Sequence, residues 1–496
     1  MNKTKLLLFF CLTVVAVILT GCSINSFQKD KQNTASGKAS GSESEDICQI
    51  CGKIPDDNRN VLLTGEDFTL EEVFVGNEEG KPGGAFICNK CGRRVTGNLT
   101  SDNIGMPILY LNGDIDGISK ENRKTVQVRY SSPNNNFEAD AVIKVQGSSS
   151  AYYPKKNFNI TFYETGTNDK YKTELSEGWG KESKYCLKAN YIDASQARNI
   201  VSAKIYGEIA HDRDRADELD SLVNAGAIDG FPVLLCLNGS PYGLYTMNIP
   251  KDNWLFGMKK GDDRQAMLFA NDWSDSTALN RKIGSNPAAD GWKLEFCSSE
   301  DNTSVGTEWV FDSFNNFIGF LKDNKGETFK NGLDQYLDIE RAIDVLIFIQ
   351  FIYGLDNSSK NMLWVTYDGI KWVPSVYDLD STWGLRYDGQ EYYAPDSSAN
   401  FVNDKAIWTK LYGYYSKSIC ERYFYLRENI LSENHINEIF LTFFNKIPDA
   451  LYIMDGKLWP DMPNRETNNY NTIQSWISDR IIYMDSYMNK KNKGEK

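Results

Sequence analysis

The reading of the chain turns on Gly354-Leu355-Asp356-Asn357-Ser358-Ser359-Lys360-Asn361 and, sixteen residues later, Tyr377-Asp378-Leu379-Asp380-Ser381-Thr382-Trp383-Gly384. The first follows an apolar run, residues 339–353, whose spacing predicts a buried helix opening on Asp338 and Glu340 at its positive end and closing at Gly354. Between the two stretches, Met362 to Tyr367, an Asp368-Gly369 turn and Lys371 to Tyr377 read as a β-hairpin. A helix, a loop with Asp and Asn five residues apart, a hairpin and a second acidic loop make a compact set of oxygen ligands at strand ends.

Working outward, Asp140 to Val145 alternates, with Ala141, Ile143 and Val145 on one face. After Gln146-Gly147-Ser148-Ser149-Ser150 and Pro154, a strand is predicted over 156–162, with Lys156 on the face of Phe158, Ile160 and Phe162. A helix is predicted over 195–210, with Asp193 and Gln196 as a capping box. Residues 231–249 read as a second hairpin, residues 308–324 as another apolar helix, and 407–488 as mostly helical. The pattern is α+β.

Phosphoryl transfer asks for few protein groups: a carboxylate beside the accepting hydroxyl, oxygen ligands for Mg²⁺, and a cation on the phosphates. Protein kinases place a base Asp five residues before a metal-binding Asn, then a hairpin, then a metal-binding Asp. Asp356 and Asn361 have that spacing, and Asp378 or Asp380 takes the last place. Hard oxygen donors of this kind suit Mg²⁺. A lysine on an apolar face is costly unless it meets an anion, which points Lys156 at phosphate, beside the donors of Gly147, Ser148 and Ser149. Lys360 either contacts the transferred group or is a solvated loop lysine. Arg198 and Lys188 either touch phosphate or pair with Asp193 and its neighbours.

Together with Pro154-Lys155-Lys156, Leu187 to Ser195, Arg198-Asn199 and Leu237 to Tyr245, these blocks resemble the CotH family of kinase-like proteins over residues 105–485. The resemblance implies an atypical protein-kinase-like fold, an antiparallel-sheet lobe plus a mostly helical lobe. It implies ATP with Mg²⁺ or Mn²⁺, and protein Ser or Thr hydroxyls as acceptors, in the family's case spore-coat proteins. Carried across, Asp356 is the catalytic aspartate with Lys360 beside it, Asn361 and Asp378 are metal ligands, Asp380 exchanges roles with Asp378, and Lys156 is the nucleotide lysine. The chain departs from the family at Asn248, where an acidic residue is common, and no histidine precedes Asp356.

The amino terminus gives an address. Lys3 and Lys5 precede an apolar run, Leu6 to Leu19, too short to cross a bilayer core of about 30 Å comfortably. It ends in Leu19-Thr20-Gly21-Cys22, which resembles a lipobox, so residues 1–21 read as a lipoprotein signal peptide and Cys22 as the lipidated residue; a plain signal peptide or a weak membrane anchor is the alternative. The expected place is the extracytoplasmic face of the cell membrane. Residues 22–46 are polar and read as a lipid-anchored linker. Cys48-Gln-Ile-Cys51-Gly52-Lys53 and Cys88-Asn-Lys-Cys91-Gly92-Arg93, 36 residues apart, make residues 47–100 a zinc-ribbon-like module. Two disulfides are the alternative there. With only His211 and His435 in the chain, a His-based catalytic zinc site is nearly excluded. The formal charge of −13 argues against nucleic acid as a partner and leaves the lipid to hold the membrane.

Export and nucleotide demand pull in opposite directions, because nucleotide is scarce outside the membrane. A phosphotransferase acting on a protein substrate at the cell surface or coat is therefore weighed against a surface-binding module for cell-wall polymer or a protein partner. Carboxylate-based glycan hydrolysis through Asp356 and Asp378 is a third, weaker reading.

Overall fold

The computed structural model describes residues 67–74, 82–213, 215, 217–261, 264–299 and 306–494. All lie in the compact unit Cys48–Lys496. The expected signal peptide (1–21), the expected lipid-anchored linker with Cys22, and Cys48 and Cys51 fall outside the described residues.

The first elements are three antiparallel strands, β1 (Phe68–Phe74), β2 (Gly83–Cys88) and β3 (Arg94–Asn98), with a bulge between Leu70 and Glu72. The β2–β3 turn is a tight knuckle: Gly92 N donates to Cys88 O and Cys88 N to Arg93 O, both at 2.9 Å, with Gly92 at φ +73°. A short helix, α1 (Ser101–Ile104), follows, closed by a capping box between Thr100 and Asn103.

Seven strands then close into a barrel: β4 (Ile108–Asn112), β5 (Lys124–Ser131), β6 (Asn136–Gln146), β7 (Asn157–Tyr163), β8 (Lys184–Lys188) and, after helix α2 (Arg198–His211), β9 (Gly230–Leu237) and β10 (Ser240–Asn248). Most neighbours are antiparallel. The barrel closes because β9 pairs with β10 on one side and, in parallel, with β4 on the other. Alternation along β6 buries Phe137, Ala139, Ala141, Ile143 and Val145 and turns Lys144 and Gln146 outward.

Strands β11 (Ala266–Ala270) and β12 (Trp292–Cys297), helices α3 (Glu308–Asp323), α4 (Gly326–Gly332) and α5 (Ile339–Phe351), and strands β13 (Met362–Thr366) and β14 (Val373–Val376) follow. The four strands form an antiparallel sheet in the order β12-β11-β13-β14. Phe314 of α3 meets Trp292, Trp364 and Trp372 edge-on. The chain ends in α6 (Ala406–Glu428), α7 (Glu433–Phe444), α8 (Asp449–Leu458) and α9 (Tyr470–Asn492). The architecture is mixed α+β, consistent with the expected fold.

Helix α5 has the expected cap, Asp338 accepting from Arg341 N at 3.1 Å, and the hairpins at 230–248 and 362–376 form as predicted. Two local expectations differ. The Asp193–Gln196 capping box does not form: α2 begins at Arg198, and Asp193 accepts from Arg198 N (2.9 Å) and Nη1 (2.8 Å), because burial of the guanidinium demands the carboxylate. Strand β7 starts at Asn157, paired with Gln146, so Lys156 precedes it rather than sharing the Phe158 face.

Candidate functional site

The loop after α5 turns through Tyr353 in the left-handed region (φ +54°) and then Gly354, and Asp356–Ser358 form one 3-10 turn. Asn361 (φ +53°) starts β13, its N–H donating to Ala270 O at 2.8 Å. Asp378 (φ +56°) follows β14 in the same conformation. Asn and Asp tolerate it better than most residues. Asn357 stitches the two loops together, its Nδ2 donating to Asn361 O (3.1 Å) and Tyr377 O (2.9 Å). Asn199 of α2 holds the second loop by accepting from Leu379 N at 2.9 Å.

The outer, polar face of the barrel meets these loops. Lys188, at the end of β8 beside Thr246 of β10, donates from Nζ to Asp378 Oδ1 at 3.0 Å. Gln146, at the end of β6, donates from Nε2 to the Tyr377 hydroxyl at 3.3 Å. The Gly147–Ser150 turn joins β6 to β7, starting directly after Gln146. Gly147 sits at φ +112°, where a Cβ would lie 1.9 Å from Ser150 Oγ. Asp356 and Lys360 face each other at 3.7 Å.

The carboxylates outnumber the cations here. Burial first, then Asp378, Asp193 and Asp356, push the Asp380 carboxyl up to about 8 against the pull of Lys188. No hydrogen bond or ion pair reaches Asp380 from the described residues. Burial also raises the Asp356 pKa; Lys360 offsets this and Asp378 adds to it. Burial pulls the Lys188 pKa down, but Asp378, Tyr377 and Asp380 together hold it above the usual lysine value. Among the described residues, no group of three His, Cys, Asp or Glu side chains is set to hold a metal ion.

The expected site residues thus fall into three places. Asp356, Lys360, Asn361, Asp378 and Asp380 gather on the two loops. Gly147, Ser148 and Ser149 form the turn above. Lys156 sits at the base of that turn, its Nζ donating to Ala151 O at 2.9 Å. The two undecided cations part: Lys188 reaches Asp378, whereas Arg198 is buried on Asp193 and on Thr382 O (2.9 Å). Cys88 ends β2 and Cys91 lies in the knuckle.

Sequence reasoning missed Lys251, whose ammonium lies 4.1 Å from the Phe269 ring centre and 5.6 Å from that of Tyr377. Lys188 stands 5.8 Å from the same tyrosine ring. Lys251 is ion-paired to Glu295. No local pattern marks it; only the meeting of barrel and sheet does.

A glycine-containing turn over a polar strand face, a lysine on the next strand and an Asp–Asn loop set against an acidic loop describe a kinase-like protein. The model of the CotH kinase protein family matches residues 143–484, and the chain belongs to that family. No curated protein matches the chain.

Proposed function

We propose that this chain is a membrane-anchored, extracytoplasmic phosphotransferase that moves the terminal phosphoryl group of ATP to protein Ser or Thr hydroxyls. The observation that carries the reading is Lys188 meeting Asp378, whose neighbour Tyr377 is held by Gln146 at the start of the Gly147–Ser150 turn, with Asp356 on the adjoining loop.

The donor set fits a divalent cation. Asp380 is hemmed in by three other carboxylates and receives no hydrogen bond from the described residues, so its ionised form calls for added positive charge. Asn361, Asp378 and Asp380 would hold the ion. When bound, Mg²⁺ or Mn²⁺ neutralises charge on the phosphates. The turn residues Gly147, Ser148 and Ser149 donate to phosphate oxygens from above. Lys188, kept charged by its neighbours, is the better-placed phosphate lysine, and Lys156 fixes the turn from its base. Asp356 accepts the proton of the attacking hydroxyl, with Lys360 holding the carboxylate. In this reading the barrel with α2 acts as one kinase-type lobe and the helical remainder with its own sheet as the other.

The amino terminus supports the address: Cys22 would carry the lipid, residues 22–46 the tether, and Cys48, Cys51, Cys88 and Cys91 a structural Zn²⁺. The test is labelled-phosphate transfer and nucleotide-dependent thermal stabilisation of the full chain with Mg²⁺ or Mn²⁺. Stabilisation and transfer that vanish in Asp378→Ala support the reading; no binding of MgATP sinks it. Cys22→Ala should release the protein from the membrane fraction.

A further inference from the structure

The Gly147–Ser150 turn is polar and carries the exposed side chain of Tyr152 at its tip. Ser149–Tyr152 make one 3-10 turn of their own. The descending limb is tied from behind. Lys155 is fully buried, and its Nζ donates to Leu244 O at 2.6 Å and to Asp455 Oδ1 at 2.8 Å. The same Oδ1 accepts from Leu244 N at 2.8 Å. Position 243 must be glycine here, because a Cβ would stand 2.7 Å from Asp455 Oδ1. One carboxylate of α8 thus serves both the limb and β10. The Tyr245 hydroxyl adds a bond to Lys156 O at 3.1 Å.

Helix α8 faces another way as well: it packs on β1 of the three-stranded sheet. Val73 and Met454 are buried on either side of that contact, and they line a cleft of about 360 Å³ with Glu72, Arg94 and Ile453. The family match begins at Ile143, so this sheet lies outside the matched segment while α8 lies inside it. An element outside the matched segment therefore leans on the helix that holds the turn.

We propose that Asp455 is a positioning residue for the Gly147–Ser150 turn, and that the N-terminal sheet, acting through α8, sets how firmly that turn is held over the nucleotide. The consequence for nucleotide rests on the phosphotransferase reading; the mechanical coupling does not. A buried ion pair whose acid is removed leaves an uncompensated ammonium, which must move or attract water. Besides Asp455, Lys155 is held by the Leu244 carbonyl at 2.6 Å and stands 5.1 Å from the Tyr245 ring centre, and the limb it belongs to follows it.

The experiment measures two quantities on the full chain: amide exchange over residues 148–153 and affinity for MgATP. In Asp455→Asn, exchange across the turn should rise about tenfold and MgATP affinity fall about tenfold. Val73→Ala, on the far side of α8, should move both the same way by a smaller factor. Met488→Ala, buried in α9, should lower the melting temperature and leave the turn unchanged. Unchanged turn exchange in Asp455→Asn, with only a lower melting temperature, overturns the proposal. Should that variant not fold, Val73→Ala decides by the same readout. If exchange responds but no form of the protein binds MgATP, the coupling stands and the phosphotransferase reading falls.

Discussion

Lys188 Nζ donates to Asp378 Oδ1 across 3.0 Å, joining the last residue of β8 to a loop that lies 190 residues further along the chain. The bond ties the barrel to the four-stranded sheet at the cleft. The lysine side chain is 9% exposed and the aspartate 33%. Removing the aspartate therefore strands a nearly buried cation. We expect Asp378→Ala to abolish phosphate transfer and to cost roughly 1–3 kcal/mol of stability. Urea denaturation beside a transfer assay checks both; full transfer activity in the variant would remove Asp378 from the site.

The two candidate lysines separate cleanly by affinity. Lys188→Met should weaken MgATP binding about 100-fold, since it removes the charge facing the cleft. Lys156→Met should change it by no more than about threefold, because its Nζ is engaged with Ala151 O. Titration calorimetry on both variants decides. The opposite ranking would return the phosphate role to Lys156.

The raised pKa of Asp380 gives a pH dependence with a definite sign. An unfolded aspartate ionises near about 4, whereas the folded one, through burial and then Asp378, stays protonated up to about 8. As pH climbs between those values the unfolded chain loses the proton first, so this group destabilises the metal-free fold progressively. Below the lower value it contributes nothing, and above the upper one the loss is complete. Denaturation in a metal chelator from about pH 4 to about pH 8, the span of that window, should show stability falling less steeply in Asp380→Asn than in the parent. Parallel curves would mean that Asp380 is not perturbed.

Metal content tests the knuckle. Full chain purified without chelator should hold one Zn²⁺, and Cys88→Ser should lose it along with thermal stability, because structural zinc contributes folding energy directly. Absence of zinc with Cys48, Cys51, Cys88 and Cys91 all oxidised would instead establish two disulfides.

Local pattern revealed the parts of the molecule whose partners are close in sequence. The apolar run of α5 with its Asp338 cap, the two hairpins and the Asp356–Asn361 spacing all depend on contacts within a few residues. What stayed hidden depends on distance. Barrel closure needs β4 beside β9, pairing Ile108 with Leu234. The Lys188–Asp378 bond and the Lys155–Asp455 pair span 190 and 300 residues. A lone lysine in a strand looks the same whether its anion is a phosphate or a carboxylate from a distant helix. That is why Lys155 and Lys156, adjacent in sequence, had to be told apart by burial. Asp193 is a local case: of the two readings open for Arg198, phosphate or Asp193, burial of the guanidinium on the carboxylate decides for the second.

Gly147 offers the sharpest test of the turn itself. Its φ of +112° is one that side chains rarely adopt, and an added methyl would also stand 1.9 Å from Ser150 Oγ. Ser150 would have to rotate, losing the bond it accepts from Asn157 Nδ2 at 3.2 Å. Gly147→Ala should therefore reshape the turn at a local cost of about 1–3 kcal/mol. The turn is exposed, so the melting temperature should move little while MgATP affinity falls about tenfold. Adding Ser150→Ala removes the clash but leaves the backbone strain, so the double variant should regain only part of the lost affinity. Full recovery would show that the hydroxyl, and not the conformation, sets the requirement for glycine; no loss in the single variant would show that this turn does not touch the nucleotide.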